Sequence, residues 1–165
     1  MLSEKINDAL NQQINEEFFS GYLYWAMANW FESQNWLGFA QWLKVQAQEE
    51  YEHAERFYNF IHEIGGEVEL LAVKQPPKEW NSPLDAFKAA YEHEKYITGK
   101  INELVDLATE LKDNATLRGV LDWFVTEQIE EEEQTRTIVE DLERIGDHLG
   151  ALHYYDKKLG KRKKE

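Results

Sequence analysis

Apolar side chains recur every three or four residues through four long stretches of the chain, and Gly65-Gly66, Pro76-Pro77 and Gly146 fall between those stretches. That spacing is the 3.6-residue period of helices with one buried face, so the fold class is all-α. The first stretch opens at a Ser3 cap followed by Glu4 and carries Ile6, Leu10, Ile14, Gly21, Tyr24, Ala28 and Phe31 on one face. The second runs from about Trp36 to Ile64, with Phe39, Leu43, Ala47, Ala54, Phe57, Ile61 and Ile64 as its stripe, and stops at Gly65 and Gly66. The third follows Ser82-Pro83, a cap and first-turn pair, and buries Phe87, Ala90, Ile97, Ile101, Val105 and Ala108 before ending near Asp113 and Asn114. The fourth, Ala115 to about Ile145, shows Leu117, Leu121, Phe124, Val139 and Leu142, and Gly146 closes it. A short fifth segment, about Leu149 to Leu159, precedes the basic tail Lys161, Arg162, Lys163 and Lys164, which reads as a solvated terminus.

Link lengths fix the topology. A link of a few residues makes the first and second helices antiparallel neighbours, and likewise the third and fourth. The middle link, Gly65 to Ser82, is 18 residues long and contains Pro76-Pro77. Extended at roughly 3.3 Å per residue it reaches about 60 Å, whereas a helix of the second one's length spans only about 43 Å. It can therefore return along the whole bundle, leaving the second and third helices parallel. The expected architecture is a four-helix bundle with one long crossover and a short fifth helix at the C-terminal end. One domain is expected over 1–165, with the bundle at about 3–146, the fifth helix at about 149–159 and the tail at 160–165.

Composition narrows the chemistry. The formal charge is −14, and basic residues do not cluster before Lys157, so the surface should repel nucleic acid and anionic membranes and attract metal cations. The chain has no Cys, which removes disulfides, thiolate zinc sites, iron-sulfur clusters and cysteine nucleophiles. Any metal must be held by oxygen and nitrogen. No run approaches the roughly 18 apolar residues of a membrane span, and Met1 to Leu10 is no signal peptide, so a cytoplasmic location is expected.

The stripes themselves carry the anomaly. Glu17 sits mid-stripe on the first helix; Glu50 sits among Leu43, Ala47, Ala54 and Phe57 on the second, with His53 three residues on. Glu94 lies between Ala90 and Ile97, and Gln128 and Glu131 take the matching place on the fourth helix. Several buried carboxylates facing one another need a compensating positive charge, and no Lys or Arg lies on these stripes at that level. A bound divalent metal answers that need. Four carboxylates and one imidazole suit iron or manganese better than structural zinc, and the imidazole argues against calcium or magnesium. Tyr24, two turns after Glu17, reads equally as core or as a neighbour of the metals. The run Glu130 to Glu133 reads as an acidic surface, with Glu132 and Arg136 as an i,i+4 pair, and His62, His93, His148 and His153 read as structural or surface residues.

Through Asn15-Glu16-Glu17, Gln48-Glu49-Glu50-Tyr51-Glu52-His53, Tyr91-Glu92-His93-Glu94 and Trp123-Phe124-Val125-Thr126-Glu127-Gln128-Ile129-Glu130-Glu131, the sequence resembles a prokaryotic non-haem ferritin. The resemblance implies an iron-storage shell, usually of 24 subunits, whose subunits oxidise Fe(II) with dioxygen or hydrogen peroxide at a two-iron ferroxidase centre. In that pattern Glu17 and His53 hold one iron, Glu50 bridges, and Glu94 holds the second with help from Glu131. Gln128 positions water or dioxygen, Tyr24 lies close by, and Glu49, Glu127 and Glu130 form a third iron site. Bacterioferritins and rubrerythrins carry a second Glu-x-x-His motif where this chain has Gln128-Ile129-Glu130-Glu131, and Tyr51 replaces the haem-binding Met of bacterioferritins, so no haem is expected. The rival readings are a rubrerythrin-like di-iron peroxidase without storage, a DNA-binding mini-ferritin acting through the basic tail, and a metal-free helical interaction protein.

Overall fold

Ser3 caps the first helix as the sequence predicts, its Oγ accepting from the Ile6 N–H at 3.2 Å, and α1 (Glu4–Ser33) runs unbroken from there. The computed structural model describes residues 2–164; Met1 and Glu165, the two ends of the expected domain, lie outside the described residues. α2 spans Leu37–Glu63 and ends at Gly65, whose φ of 74° turns the chain out of the helix. α3 spans Pro83–Glu110, with the Ser82 Oγ accepting from the Asp85 N–H at 3.1 Å and Pro83 in the first turn. α4 departs from the plain helix expected. A short helical turn, Asn114–Thr116, opens into a π turn at Leu117–Leu121 and continues as an α-helix over Asp122–Ile145. Val120 and Leu121, at the end of this wide turn, are both buried. On α3, Leu104 is buried where Val105 was expected, the stripe advancing three residues instead of four. α5 is Leu149–Leu159, capped by the His148 imidazole, which accepts from the Ala151 N–H at 3.0 Å.

Cross-helix partners give the directions. On α1 and α3, Phe31 meets Phe87, Tyr24 meets Glu94 and Glu16 meets Tyr96, so these helices are antiparallel. Since α1 and α2 are joined by a tight link, α2 and α3 are parallel, as the long crossover requires. That crossover is stitched to α1 by three asparagines one turn apart. Asn7 Nδ2 donates to the Glu67 carbonyl at 2.9 Å, Asn11 Nδ2 donates to the same carbonyl at 2.8 Å, and Asn15 Nδ2 donates to the Ala72 carbonyl at 3.0 Å. In return the Glu67 and Glu69 amides donate to Asn7 and Asn11 Oδ1. Backbone groups of a segment without regular structure are thereby satisfied.

α5 docks on the start of α2. Trp36 offers no side-chain cap there, and the Asp156 carboxylate accepts from the Phe39 N–H at 2.9 Å instead, placing a negative charge at the helix N-terminus. Gly38 makes this approach feasible: a Cβ on it would lie 1.6 Å from the Asp156 carbonyl oxygen.

The apolar interior is in two halves. One gathers Met27, Phe31, Phe39, Leu43, Phe87 and Leu142. The other gathers Ile6, Leu10, Phe57, Ile61, Ile101 and Phe124, with Phe57 and Phe124 stacked at 4.1 Å between centroids. A polar layer separates them at mid-height. Among the described residues no helix is long and apolar enough to cross a membrane.

Candidate metal centre

Every helix of the bundle sends a polar side chain into that layer: Glu17 from α1, Glu50 and His53 from α2, Glu94 from α3, and Gln128 and Glu131 from α4, each 3% exposed or less. His53 Nδ1 lies 3.1 Å from Glu50 Oε2 and 3.8 Å from Glu17 Oε2, and its Nε2 lies 3.8 Å from Glu127 and 4.0 Å from Glu131. Three sets of residues have one ligand atom apiece within 4.8 Å of one another: Glu17, Glu50 and His53; Glu50, Glu94 and Glu131; and His53, Glu127 and Glu131. Glu50 is common to the first two. Among the described residues no Lys or Arg is buried, so His53 is the one cationic group available inside the layer.

The hydrogen bonds leave two gaps. Tyr24 Oη donates to Glu94 Oε1 at 2.5 Å, and Gln128 Nε2 donates to Glu94 Oε2 and to Thr98 Oγ1, each at 3.2 Å. Glu17 Oε2 and Gln128 Oε1 are buried with no partner. An unsatisfied carboxylate oxygen in a protein interior is costly unless a cation reaches it, and both orphan atoms are of the hard, oxygen-donor kind that iron or manganese accepts.

Two glutamines that sequence reasoning overlooked complete the layer. Gln13 Nε2 donates to Glu17 Oε1 at 3.1 Å, and Gln46 Nε2 donates to Glu50 Oε1 at 2.9 Å and Glu131 Oε2 at 2.6 Å. A legible signal existed: each glutamine precedes its glutamate by four residues, one turn earlier on the same stripe.

Burial drives the electrostatics. Desolvation lifts the Glu17 carboxyl to about 7, despite the opposing influence of His53 3.8 Å away. It lifts Glu94 and Glu131 well above the usual carboxylate range, with the Glu50 charge adding to the effect. Glu50 is the exception. Desolvation opposes its ionisation too, but the charge and hydrogen bond of His53 outweigh burial and hold it at about 2. His53 is the reciprocal case, desolvation being overcome by Glu50, Glu127 and Glu17, so the imidazolium is favoured well above the usual histidine range. Tyr24 is pushed well up by burial and by Glu94, and it stays a donor. Without a metal the centre balances the Glu50 carboxylate against the His53 imidazolium, while burial favours the protonated forms of Glu94, Glu131 and, below about pH 7, Glu17.

The outer residues are placed differently from one another. Glu127 faces His53, whose hydrogen bond lowers its pKa. Glu49 is half-buried and pairs with Arg162 at 2.8 Å, and Glu130 is exposed and accepts from Gln134 at 3.1 Å, so neither belongs to the three close sets. The tail is not the solvated terminus expected, because Arg162 folds back onto α2. Arg136 pairs with Glu140 instead of Glu132, since Glu132 turns inward to accept from Thr98 Oγ1 at 2.6 Å. His93 is half-buried, 2.7 Å from Ser20 Oγ, and His153 packs on Trp36.

A crossover-linked four-helix bundle with Glu, Glu-x-x-His, Glu and Gln-x-x-Glu facing one another is a ferritin-like carboxylate bundle. The profile of the Ferritin family, described as a ferritin-like domain, matches residues 7–145. The chain is 39% identical over 162 residues to a "Bacterial non-heme ferritin" of Staphylococcus aureus, covering 98% of this chain and 97% of that one. A protein of the same name from Bacteroides fragilis is 38% identical, with 98% and 100% covered. Among solved structures, an open-pore ferritin from the archaeon Archaeoglobus fulgidus superposes with a TM-score of 0.97 at 48% identity, covering 99% of this chain and 100% of that one. A closed form engineered from the Archaeoglobus ferritin gives 0.98 at 48% identity, with both chains fully covered. This chain belongs to the ferritin family, whose members are iron-storage bundles.

Proposed function

We propose that this protein stores iron by oxidising Fe(II) at the buried layer and passing the ferric product to a mineral inside a hollow homo-oligomeric shell, of 24 subunits by family resemblance. Iron is the substrate, two ions per subunit at the paired site. Glu17 and His53 hold one, Glu50 bridges, and Glu94 with Glu131 holds the other. The observation that carries this reading is that Glu50 is shared by two three-residue ligand sets in a layer with one buried cationic side chain. Each Fe(II) gives one electron, so a pair reduces dioxygen to hydrogen peroxide with uptake of two protons, or hydrogen peroxide to water.

The residues around the pair have definite work. Gln13 and Gln46 hold Glu17, Glu50 and Glu131 in fixed rotamers through their amide N–H groups. Gln128 aims an uncommitted amide oxygen into the layer, where it orients a bound water or dioxygen. Tyr24 fixes Glu94 and neighbours the reacting atoms. Glu127, Glu49 and Glu130 form the way out, a weak third site of carboxylates between the pair and the mineral. Tyr51 stands where a haem-binding Met would be needed, and no haem takes part. Exposed Tyr22, Trp25, Leu37 and Tyr154 are surfaces that subunit contacts would cover. The acidic charge draws Fe(II) in and keeps nucleic acid and membranes away, and the working compartment is the cytoplasm.

Fe(II) oxidation in air tests the centre. Glu50→Ala and His53→Ala should each slow it by more than tenfold, and wild-type rates in both variants would remove the paired site. Electron microscopy of iron-loaded protein should show a dense core within a shell, and its absence would favour a di-iron peroxidase that stores nothing.

A further inference from the structure

Arg162 lies three residues beyond α5, yet its guanidinium reaches α2 at four points. Its Nη1 donates to the Trp42 carbonyl at 3.1 Å and to Gln46 Oε1 at 3.0 Å, its Nη2 donates to Glu49 Oε2 at 2.8 Å, and its Cζ lies 4.3 Å from the Trp42 ring centroid. Both side chains of the ion pair are mostly covered, Arg162 being 16% exposed and Glu49 26%. Such a pair is worth more than a surface one, and the fork geometry fixes it in direction.

We propose that Arg162 is a built-in counterion for Glu49, one that a cation leaving the paired site must displace, and that it thereby sets how weakly the third site binds. This rests on the reading of Glu49 as part of that site. The geometry separates two duties of one guanidinium. Nη2 alone touches Glu49, while Nη1 and the Trp42 stacking anchor the group to α2. Glu49 can therefore turn to a cation without releasing the tail. The positive charge stays beside the third site and opposes whatever binds there. A transit site needs this property, because a cation held tightly at Glu49 would block the path for the next. The same Nη1 also fixes the amide of Gln46, whose oxygen faces Arg162 and whose nitrogen faces Glu50 and Glu131. The tail thus touches the exit and, through one glutamine, two ligands of the pair.

Anaerobic calorimetric titration of the assembled protein with Zn(II), which takes oxygen and nitrogen ligands and has no redox chemistry, provides the test. Wild type should bind two ions per subunit tightly and a third weakly. Arg162→Gln keeps an N–H donor but no charge, and it should tighten the third site about tenfold, the size of one lost charge-assisted hydrogen bond, with any change in the tight pair through Gln46 read separately in the same titration. A chain ending at Lys161 should do the same, and Glu49→Gln should abolish the third site in either background. An unchanged or weaker third site in Arg162→Gln overturns the role of Arg162, whether or not the tight pair shifts. Failure of wild type to bind two tight ions overturns the reading of the centre itself, and this role with it.

Discussion

Tyr24 and Glu94 meet at 2.5 Å in the middle of the bundle, a phenol donating to a carboxyl with neither group reaching solvent. Since burial and the Glu94 charge push the Tyr24 pKa well up, the donor persists at every working pH. Tyr24→Phe keeps the ring and removes the proton. The hydrogen bond currently favours ionised Glu94, so its loss should raise that carboxyl further and weaken cation binding. Anaerobic Fe(II) titration near pH 7 should show weakening of about tenfold, in line with roughly 1–2 kcal/mol for a buried hydrogen bond. Equal affinity in the two proteins would assign Tyr24 to packing alone.

Cation binding should release protons. Burial favours the protonated form of Glu17, Glu94 and Glu131 in the metal-free protein, raising Glu17 to about 7 and the other two well above the usual carboxylate range. A ligand must ionise, so affinity falls as pH falls through about 7 and below. Titration with Zn(II) in buffers of different ionisation enthalpy should give more than one proton released per tight pair near neutrality. Proton-neutral binding would show that the carboxyls are already ionised.

His93 predicts acid lability of a different origin. Burial lowers its pKa from 6.5 to about 4, the Lys74 charge adding to the effect, with Ser20, Phe19 and Tyr24 around it. A histidine that charges more readily unfolded than folded contributes stability fully above its unfolded pKa, and that contribution is lost as pH falls from about 6.5 towards 4. Metal-free wild type should lose about 2–3 kcal/mol over that window relative to His93→Gln, read from urea midpoints. Parallel pH profiles of the two proteins would place the acid sensitivity elsewhere.

Gly38→Ala should detach the fifth helix and leave the bundle folded. The new methyl would sit on the Asp156 carbonyl, and an overpacked contact of this kind costs about 1–3 kcal/mol. Limited proteolysis should then cut near residues 146–160, where the wild type resists. Equal resistance would mean that α5 is held by other contacts.

The bundle and its carboxylate layer were legible because they depend on local periodicity. At 100° per residue, Glu17 falls on the line of Ile14 and Tyr24 whatever the remainder of the chain does. What escaped was set by distant partners. The start of α2 has no cap in its own sequence because Asp156 supplies one from α5. Arg162 looked like solvated charge because nothing near it in sequence names Trp42, Gln46 or Glu49 as its partners. The π turn at Leu117–Leu121 is marked in the sequence only by Gly119, and a single glycine inside a helical pattern does not announce an extra residue in the turn. Asn7, Asn11 and Asn15 show a four-residue repeat, yet only the path of the crossover gives that repeat a purpose.

The polar layer cuts the interior into an upper and a lower apolar half, and that division shapes how the metal-free chain comes apart. Each half holds its own ends of all four helices, while the boundary between them is a polar plane with one internal ion pair, Glu50 and His53, and two orphan oxygens. Such a plane transmits cooperativity poorly, so the halves should open as separate units in hydrogen exchange of the metal-free protein. Ions bound across α1, α2, α3 and α4 act as rivets through that plane. Loading the centre should therefore merge two folding units into one, so that the bound cation would itself become a structural member of the bundle.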